Sequence, residues 1–504
     1  MTVKVTNNGF STLSAGITDS ATTITLASGE GSRFPNPSSP DVFYATLIDT
    51  SNNLEIVKVT ARSSDSLTVV RAQDNTSARA FSTGDRFELR PVAKLFEDIQ
   101  AEARDLNGAE LVLDADGDTS ITADTDDRID IRVGGTDVAY ISSNSGQGAL
   151  INRKTATPLI INGDMQIAQR GTSATGLTST GYQTLDRWRF VALSLGTWTM
   201  SQDTDVPTGQ GFSSSLKLDC TTANASLGAG NVLQLQTRFE GQNCQMLKKG
   251  TSSAESVTIS FWVKSPKTGT HIAELRDIDN TRHISKSYTV SSANTWEKKV
   301  ISFAGDTTGV LDNDNSVSFD LQFWLGAGTN YTSGTLATSW ASTTDANRAV
   351  GQVNVGDNTA NNFYLTGVQL EVGTFDANSI PPFQFEDVGT SLARCQRYYY
   401  VHAEGLNKTI GAGANFSSSL LTCSVHFPTT MRSAPSLDQD TGTSYFRFSR
   451  SNNHDLFDSF TQLQRPSVNG VQLDNNSQIS GTQGDGGSVY TYNASAKIAF
   501  DSEL

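Results

Sequence analysis

The side chains able to do chemistry are thinly spread along this chain. Its five histidines, His271, His283, His402, His426 and His454, sit in no recognisable motif, and no GxSxG elbow is present. A nucleophile with an adjacent base is therefore not encoded locally. Cys423 and His426 stand three apart on an apparent strand, which points them to opposite faces and denies them a shared zinc ion. The run DADGD at Asp114–Asp118 invites a calcium loop. Thr119 and Thr125 stand where an EF-hand needs Gly and Glu, so a solvated turn is expected and no metal ligand is assigned. Glycosidic hydrolysis needs two carboxylates about a water apart. Among 52 acidic residues a pair chosen from sequence has no weight, and the chain is expected not to be an enzyme.

Recognition is the chemistry that remains. Sugar rings are held by aromatic faces together with polar groups that fix hydroxyls. Trp262 and Trp324 fall on otherwise polar strand faces, beside Thr258 and Ser260 in one case and Ser318, Asp320 and Gln322 in the other. Each is either such a platform or is buried against a loop or a neighbouring chain. Tyr331 and Trp340, in the turn-rich GAGTNYTSGTLATSW, allow the same two readings, whereas Trp188 in LDRWRF is expected in the core. Tyr445, Phe448, His454 and Phe457 occupy a loop-like Ser/Asn-rich frame, and loops on a rigid scaffold commonly carry binding.

Short strands must position these residues. Hydrophobic residues make up 37% of 504, below the usual range, with Gly, Ser, Thr, Asn and Asp in their place. Yet 24 Phe, 12 Tyr and 6 Trp are too many aromatics for a disordered chain. The expected class is mainly all-β. Residues 1–90 alternate in β fashion (Phe43, Ala45, Leu47; Leu67, Val69), predicting a small barrel or sandwich. Residues 91–107 open on Pro91 and carry Val92, Leu95, Ile99 and Leu106 at helical spacing. That helix either packs on its own domain or forms the seam of a short coiled coil.

Within 108–157, strand-like runs begin at Leu111, Ser120, Ile129 and Val138, nine apart. Each is too short to stand alone, which predicts a β-shaft completed by other copies in a homotrimer. Residues 158–380 alternate clearly: Val257, Ile259, Phe261 and Val263 inward, and likewise Val317, Phe319, Leu321, Phe323 and Leu325. The opposite faces, with Trp262 and Ser318, Asp320, Gln322 and Trp324, are expected to be wet, as in a jelly-roll sandwich of antiparallel sheets. Ile380-Pro381-Pro382-Phe383 is a stiff connector to a C-terminal β tip domain, 381–504. Cys220, Cys244, Cys395 and Cys423 form no CxxC pair and are expected as buried free thiols.

Net charge is −15, which repels phosphate backbones and argues against nucleic acid as a partner. No apolar run is long enough for membrane insertion, and the first thirty residues lack a secretory signal pattern. Synthesis in a cytosol is therefore expected.

Several strings resemble known proteins. TTITLASGEGSRFP and IVKVTARSSDSLTVVRAQDNTSARAFSTGD resemble a small β-domain at the N-termini of phage tail proteins. INGDMQIAQRGTS, GYQTLDRWRF, FYLTGVQLEVG and SLARCQRYYY, in that order, are similar to a jelly-roll domain of tailed-bacteriophage tail fibres and receptor-binding proteins. VHFPTTMRSAPSL resembles their tip domain. The resemblance implies a virion (tail) protein made in the host cytoplasm. Its N-terminal domain would meet phage tail or baseplate proteins, and its distal domains would meet a host cell-surface glycan or protein. Related sandwiches are carbohydrate-binding modules, which implies glycan recognition without a cofactor, and a structural calcium whose ligands the sequence does not place. Two other readings stay open: a purely structural tail or baseplate protein, and a glycan-depolymerising tailspike.

Overall fold

The computed structural model describes residues 3–104, 110–122, 128–142, 149–151, 158–451 and 453–504, of which 99–104, 128, 136–142 and 149–151 by backbone alone. The chain divides into two compact units, Met1–Lys154 and Thr155–Leu504, and both are built from antiparallel sheets. The architecture is all-β, as the alternation predicts.

In the first unit a six-stranded sheet curls until its edges meet. The strands Phe10–Thr12 and Thr23–Thr25 are its two edges. Ala27 N donates to Thr12 O at 2.8 Å and Ser14 N to Thr25 O at 3.0 Å, so the sheet closes into a small barrel with no free edge between them. Leu47, Val57, Val59, Leu67, Phe43 and Phe87 fill it. Glu55, fully buried, is forked by Arg71, which also donates to the carbonyls of Thr18, Ala21 and Arg79. That satisfied ion pair pins two loops, the one holding Thr18 and Ala21 and the one holding Arg79, to two neighbouring strands.

The helix Ala93–Arg104 begins directly after this barrel. Tyr44 donates its hydroxyl to Asp98 at 2.8 Å, and Lys94 pairs with the same carboxylate at 2.6 Å. Val92 is buried and Leu95 half-buried. At these positions the helix packs on its own domain. The Ile99 side chain and the whole of Leu106, the other two seam candidates, lie outside the described residues.

The nine-residue repeat becomes a meander. Leu111–Val112, Ser120–Thr122, Arg128–Val133, Thr136–Ser142 and Ala149–Ile151 form one five-stranded sheet in chain order, so each strand's hydrogen-bonding neighbours come from the same chain. Leu111 pairs with Ile121, and Ile121 with Ile131, which places them on one face. Leu113, Ile129 and Val133 fall on that face by alternation. It is aliphatic and open: Leu111 is 46% exposed, Leu113 57%, Ile129 43% and Val133 50%. The opposite face carries Ser120, Thr122 and Asp130, all buried.

The second unit holds two sandwiches. The larger, of jelly-roll kind, packs a six-stranded sheet against a seven-stranded one. The six-stranded sheet includes Ser215–Thr222, Asn362–Val372, Val257–Lys264 and Glu297–Phe303, and the seven-stranded one Arg189–Leu193, Val232–Glu240, Val317–Ala327, Gly269–Asp277 and Arg282–Val290. Trp188, Trp198, Phe261, Phe323 and Phe363 lie in the core between them. The smaller sandwich sets the three strands Tyr399–Glu404, Lys497–Asp501 and Ser436–Asp440 against seven others around Phe446, Phe448, Phe457 and Phe460.

A buried polar joint links the two sandwiches. Glu240, at the end of one jelly-roll strand, accepts from Arg397 Nη2 at 2.7 Å and from the Tyr398 hydroxyl at 2.6 Å. Burial alone would raise its carboxyl. The hydrogen bonds from Arg397 and Tyr398 outweigh that and hold it below the usual 4.5. Arg187, 1% exposed, pairs with Glu503 and lies over the Tyr398 ring. Arg432 bonds Ser502 O at 2.7 Å and Asn315 O at 2.9 Å. All four cysteines are buried and unpaired; burial pushes the thiols of Cys244 and Cys423 up to about 12.

Candidate functional site

The outer face of the six-stranded sheet carries an aromatic groove. Strand alternation turns Phe261 and Val263 into the core, which leaves Ser260, Trp262 and Lys264 on the other side. Lys298 stands directly opposite Trp262 on the neighbouring strand; Thr366 stands opposite on the other flank, and Gln369 opposite Ser260. Trp262 is half-buried and Lys298 exposed. The connector Ile380–Phe385 runs along this face, held by Gln369, whose amide donates to Pro381 O at 2.8 Å. Phe383 and Phe385 meet each other at 5.0 Å between centroids, and both meet Phe212, at 5.2 and 5.1 Å.

Gly367 lets Phe212 lie there. Its φ is +61°, and a Cβ would stand 2.5 Å from the Phe212 ring. The resulting groove has a volume of about 290 Å³. Trp262, Phe212, Phe383 and Phe385 supply rings, Gln210, Ser260 and Gln369 supply hydrogen-bonding groups, and Lys298 supplies the one charge. Rings that accept C–H contacts, with amides beside them, suit a sugar.

Along the same face lies a second aromatic pair. Trp296 and Tyr364 meet edge to face at 6.0 Å, and Lys264 lies 4.3 Å from the Tyr364 centroid. Trp296 Nε1 donates to Asp205 at 2.9 Å, and Lys264 pairs with the same carboxylate. Burial would raise Asp205; the hydrogen bonds from Lys264 and Trp296 outweigh it and hold the carboxyl low. Lys264 follows Trp262 by two residues, so the two aromatic sets stand about 7 Å apart along the strand.

Alternation alone finds Trp262. It does not find Trp296, which precedes its strand, or Phe383 and Phe385, which lie in a connector. The pattern Phe-Gln-Phe after Pro-Pro is the local signal that one face of that connector is aromatic.

Other sequence-selected aromatics are placed differently. Trp324 is fully buried, not on a wet face: its Nε1 donates to Glu274 at 2.9 Å, and Tyr331 and Arg348 cover its ring. The segment that follows its strand folds back over the sheet. Ser318, Asp320 and Gln322 on that face are fully buried too. Arg348 forks Glu274 at 2.9 and 3.1 Å and bonds Gln322 at 3.0 Å, and His283 bonds Glu274 at 2.9 Å. Burial pushes Asp320 up to about 6, against the pull of Arg276 and the Gln322 amide.

Tyr331 is half-buried in that cover. Trp340 is half-buried against Phe319, with its Nε1 bonded to Ala304 O at 2.8 Å. Phe448 and Phe457 are fully buried strand residues on Phe446–Arg450 and Asn453–Phe457, not loop residues. The polar Ser/Asn frame hid a two-residue alternation, Phe446 and Phe448 inward. Tyr445 is half-buried and His454 exposed on that hairpin, and the structure brings neither to the Trp262 groove. Cys423 is buried and His426 exposed on one strand.

Asp114, Asp116 and Asp118 gather their carboxylates within 4.8 Å of one another, all exposed. The Asp114 carboxylate accepts from Gly117 N and Thr119 N, the geometry of a tight polar turn. No described helix is long and apolar enough to cross a membrane.

No protein-family model matches the chain, and no curated protein does. Solved structures similar to part of it include tailspike protein 4 of bacteriophage CBA120 (its enzymatically active domain), at 13% identity over 43% of this chain and 21% of that one, TM-score 0.23. A family 11 carbohydrate-binding module from Clostridium thermocellum, in complex with a β-1,3-1,4-mixed-linked tetrasaccharide, matches at 12% identity over 41% of this chain and 98% of that one, TM-score 0.21. A C-terminal family 22 carbohydrate-binding module from the same organism matches at 13% identity over 39% of this chain and 89% of that one, TM-score 0.20.

Proposed function

We propose that this chain is a tail-fibre-type receptor-binding protein of a tailed bacteriophage, a homotrimer that attaches the virion to a host-surface glycan without catalysis. The groove beside Trp262 carries this reading. Half-exposed aromatic surface on a rigid sheet, next to amides and a hydroxyl, is the chemistry that holds a sugar ring. The strings that resemble phage tail fibres support the same assignment. The barrel of the first unit would meet the tail or baseplate.

The trimer rests on the aliphatic face of the five-stranded sheet. Six side chains, Leu111, Leu113, Ile121, Ile129, Ile131 and Val133, share that face without a charge among them. A second and third copy present the same surface, and an all-aliphatic face is best covered by its like. Three weak glycan sites then act together, so attachment is tight although each site is weak.

The test is adsorption competition with the purified protein. The full chain should block phage adsorption to host cells, and Trp262→Ala should lose the block while melting at the same temperature. A protein that binds no host surface and no glycan would be a structural tail component. Release of reducing ends from host polysaccharide would make it a depolymerase. Either result sinks the reading.

A further inference from the structure

A second cavity lies where the jelly roll meets the segment leading into the smaller sandwich, with a volume of about 510 Å³. That is within the usual range for a small-molecule site. Every charged residue in its lining is an arginine: Arg187, Arg238, Arg394 and Arg397. In a chain with 52 acidic and 37 basic residues, a lining that presents guanidinium groups and no carboxylate stands apart.

Three of these guanidinium groups are held by carboxylates that do not line the cavity. Glu503 holds Arg187, Glu240 holds Arg397 and Glu386 holds Arg394. Such pairs fix the planes of the guanidinium groups before any ligand arrives. Among the described residues no side-chain carboxylate lies within ion-pair distance of Arg238; one of its donors goes to an oxygen of Leu504 at 3.0 Å. The Nε–H groups of Arg187 and Arg238 are buried and find no acceptor among the described residues. Phe239, Met246 and Tyr398 add apolar wall.

We propose that this cavity binds a small organic oxyanion, a sugar unit carrying a carboxylate or a phosphate. The guanidinium fork matches either group, and the apolar wall takes the ring. The site is independent of the Trp262 groove: Thr237, Arg238 and Phe239 belong to the seven-stranded sheet, Trp262 to the other.

Calorimetric titration of the full chain tests it, with glucuronate, glucose 6-phosphate, glucose and inorganic phosphate as probes. One or both sugar anions should bind saturably, and whichever binds names the anion. Glucose should not bind, and inorganic phosphate should bind more weakly. Arg238→Gln should weaken binding roughly tenfold or more, the worth of one charge-assisted hydrogen bond. Asn243→Asp places a carboxylate at the exposed mouth without touching the packed wall, and should weaken it too. Trp262→Ala should leave it unchanged. The proposal is overturned if neither sugar anion binds, if inorganic phosphate binds as tightly as they do, or if binding survives both charge changes. A negative result here leaves the Trp262 reading standing.

Discussion

At the scale of single residues, burial decides which aromatic and which acid can act. Trp262 and Trp324 look alike in sequence, each on a polar strand face. One stays half-open because a connector runs beside it; the other is roofed by the segment that follows its own strand. That roof comes from folding back across the sheet, which strand alternation does not encode. Asp320 lies beneath the same cover. Its carboxyl has an unfolded value of 3.8 and a folded value of about 6, so between those values the folded state binds the extra proton. Stability therefore falls as pH rises through that window, by up to about 3 kcal/mol. Asp320→Asn should remove this fall. Denaturant midpoints measured above and below the window should lie closer together in the variant than in the parent.

At the scale of elements, the strands were legible and their company was not. Val257–Lys264 and Val317–Ala327 follow the apolar/polar alternation closely, and Trp188 is in the core as its setting suggested. The repeat Leu111, Ser120, Ile129 announced short strands, yet they find their hydrogen-bonding neighbours within one chain. What they lack is cover for one face, a property that shows only once Leu111, Ile121 and Ile131 are in register. Two substitutions on that face test the trimer. Leu113→Asp together with Val133→Asp should leave the barrel and the sandwiches folded. At roughly 1 kcal/mol for each half-exposed aliphatic side chain that an assembly would bury, the double change should reduce a trimer to monomers in analytical ultracentrifugation. A parent protein that already sediments as a monomer would refute the assembly.

At the scale of the whole molecule, the joint within the second unit matters most. Sequence suggested a stiff connector, Ile380–Phe383, between jelly roll and tip. The structure adds what no local pattern could give: Glu240 bound by Arg397 and Tyr398, and Glu503 bound by Arg187, contacts between residues far apart in the chain. Arg397→Ala would strip a buried carboxylate of its cation, a loss worth about 3 kcal/mol. Calorimetry should then show one melting transition split into two. Glu240 titrates below its usual 4.5, so the joint's stability is present above that value and is lost as pH falls through the lowered one. Acid should separate the two sandwiches before either unfolds.

The four cysteines have a practical consequence. Interior thiols with ionisation pushed so far upward stay protonated and shielded at neutral pH. A cysteine introduced on the surface, such as Ser339→Cys, would then be the sole position that a maleimide dye captures under native conditions. The protein accepts a single-site fluorescent tag without first being stripped of its own cysteines, so one dye per chain reports where the molecule goes.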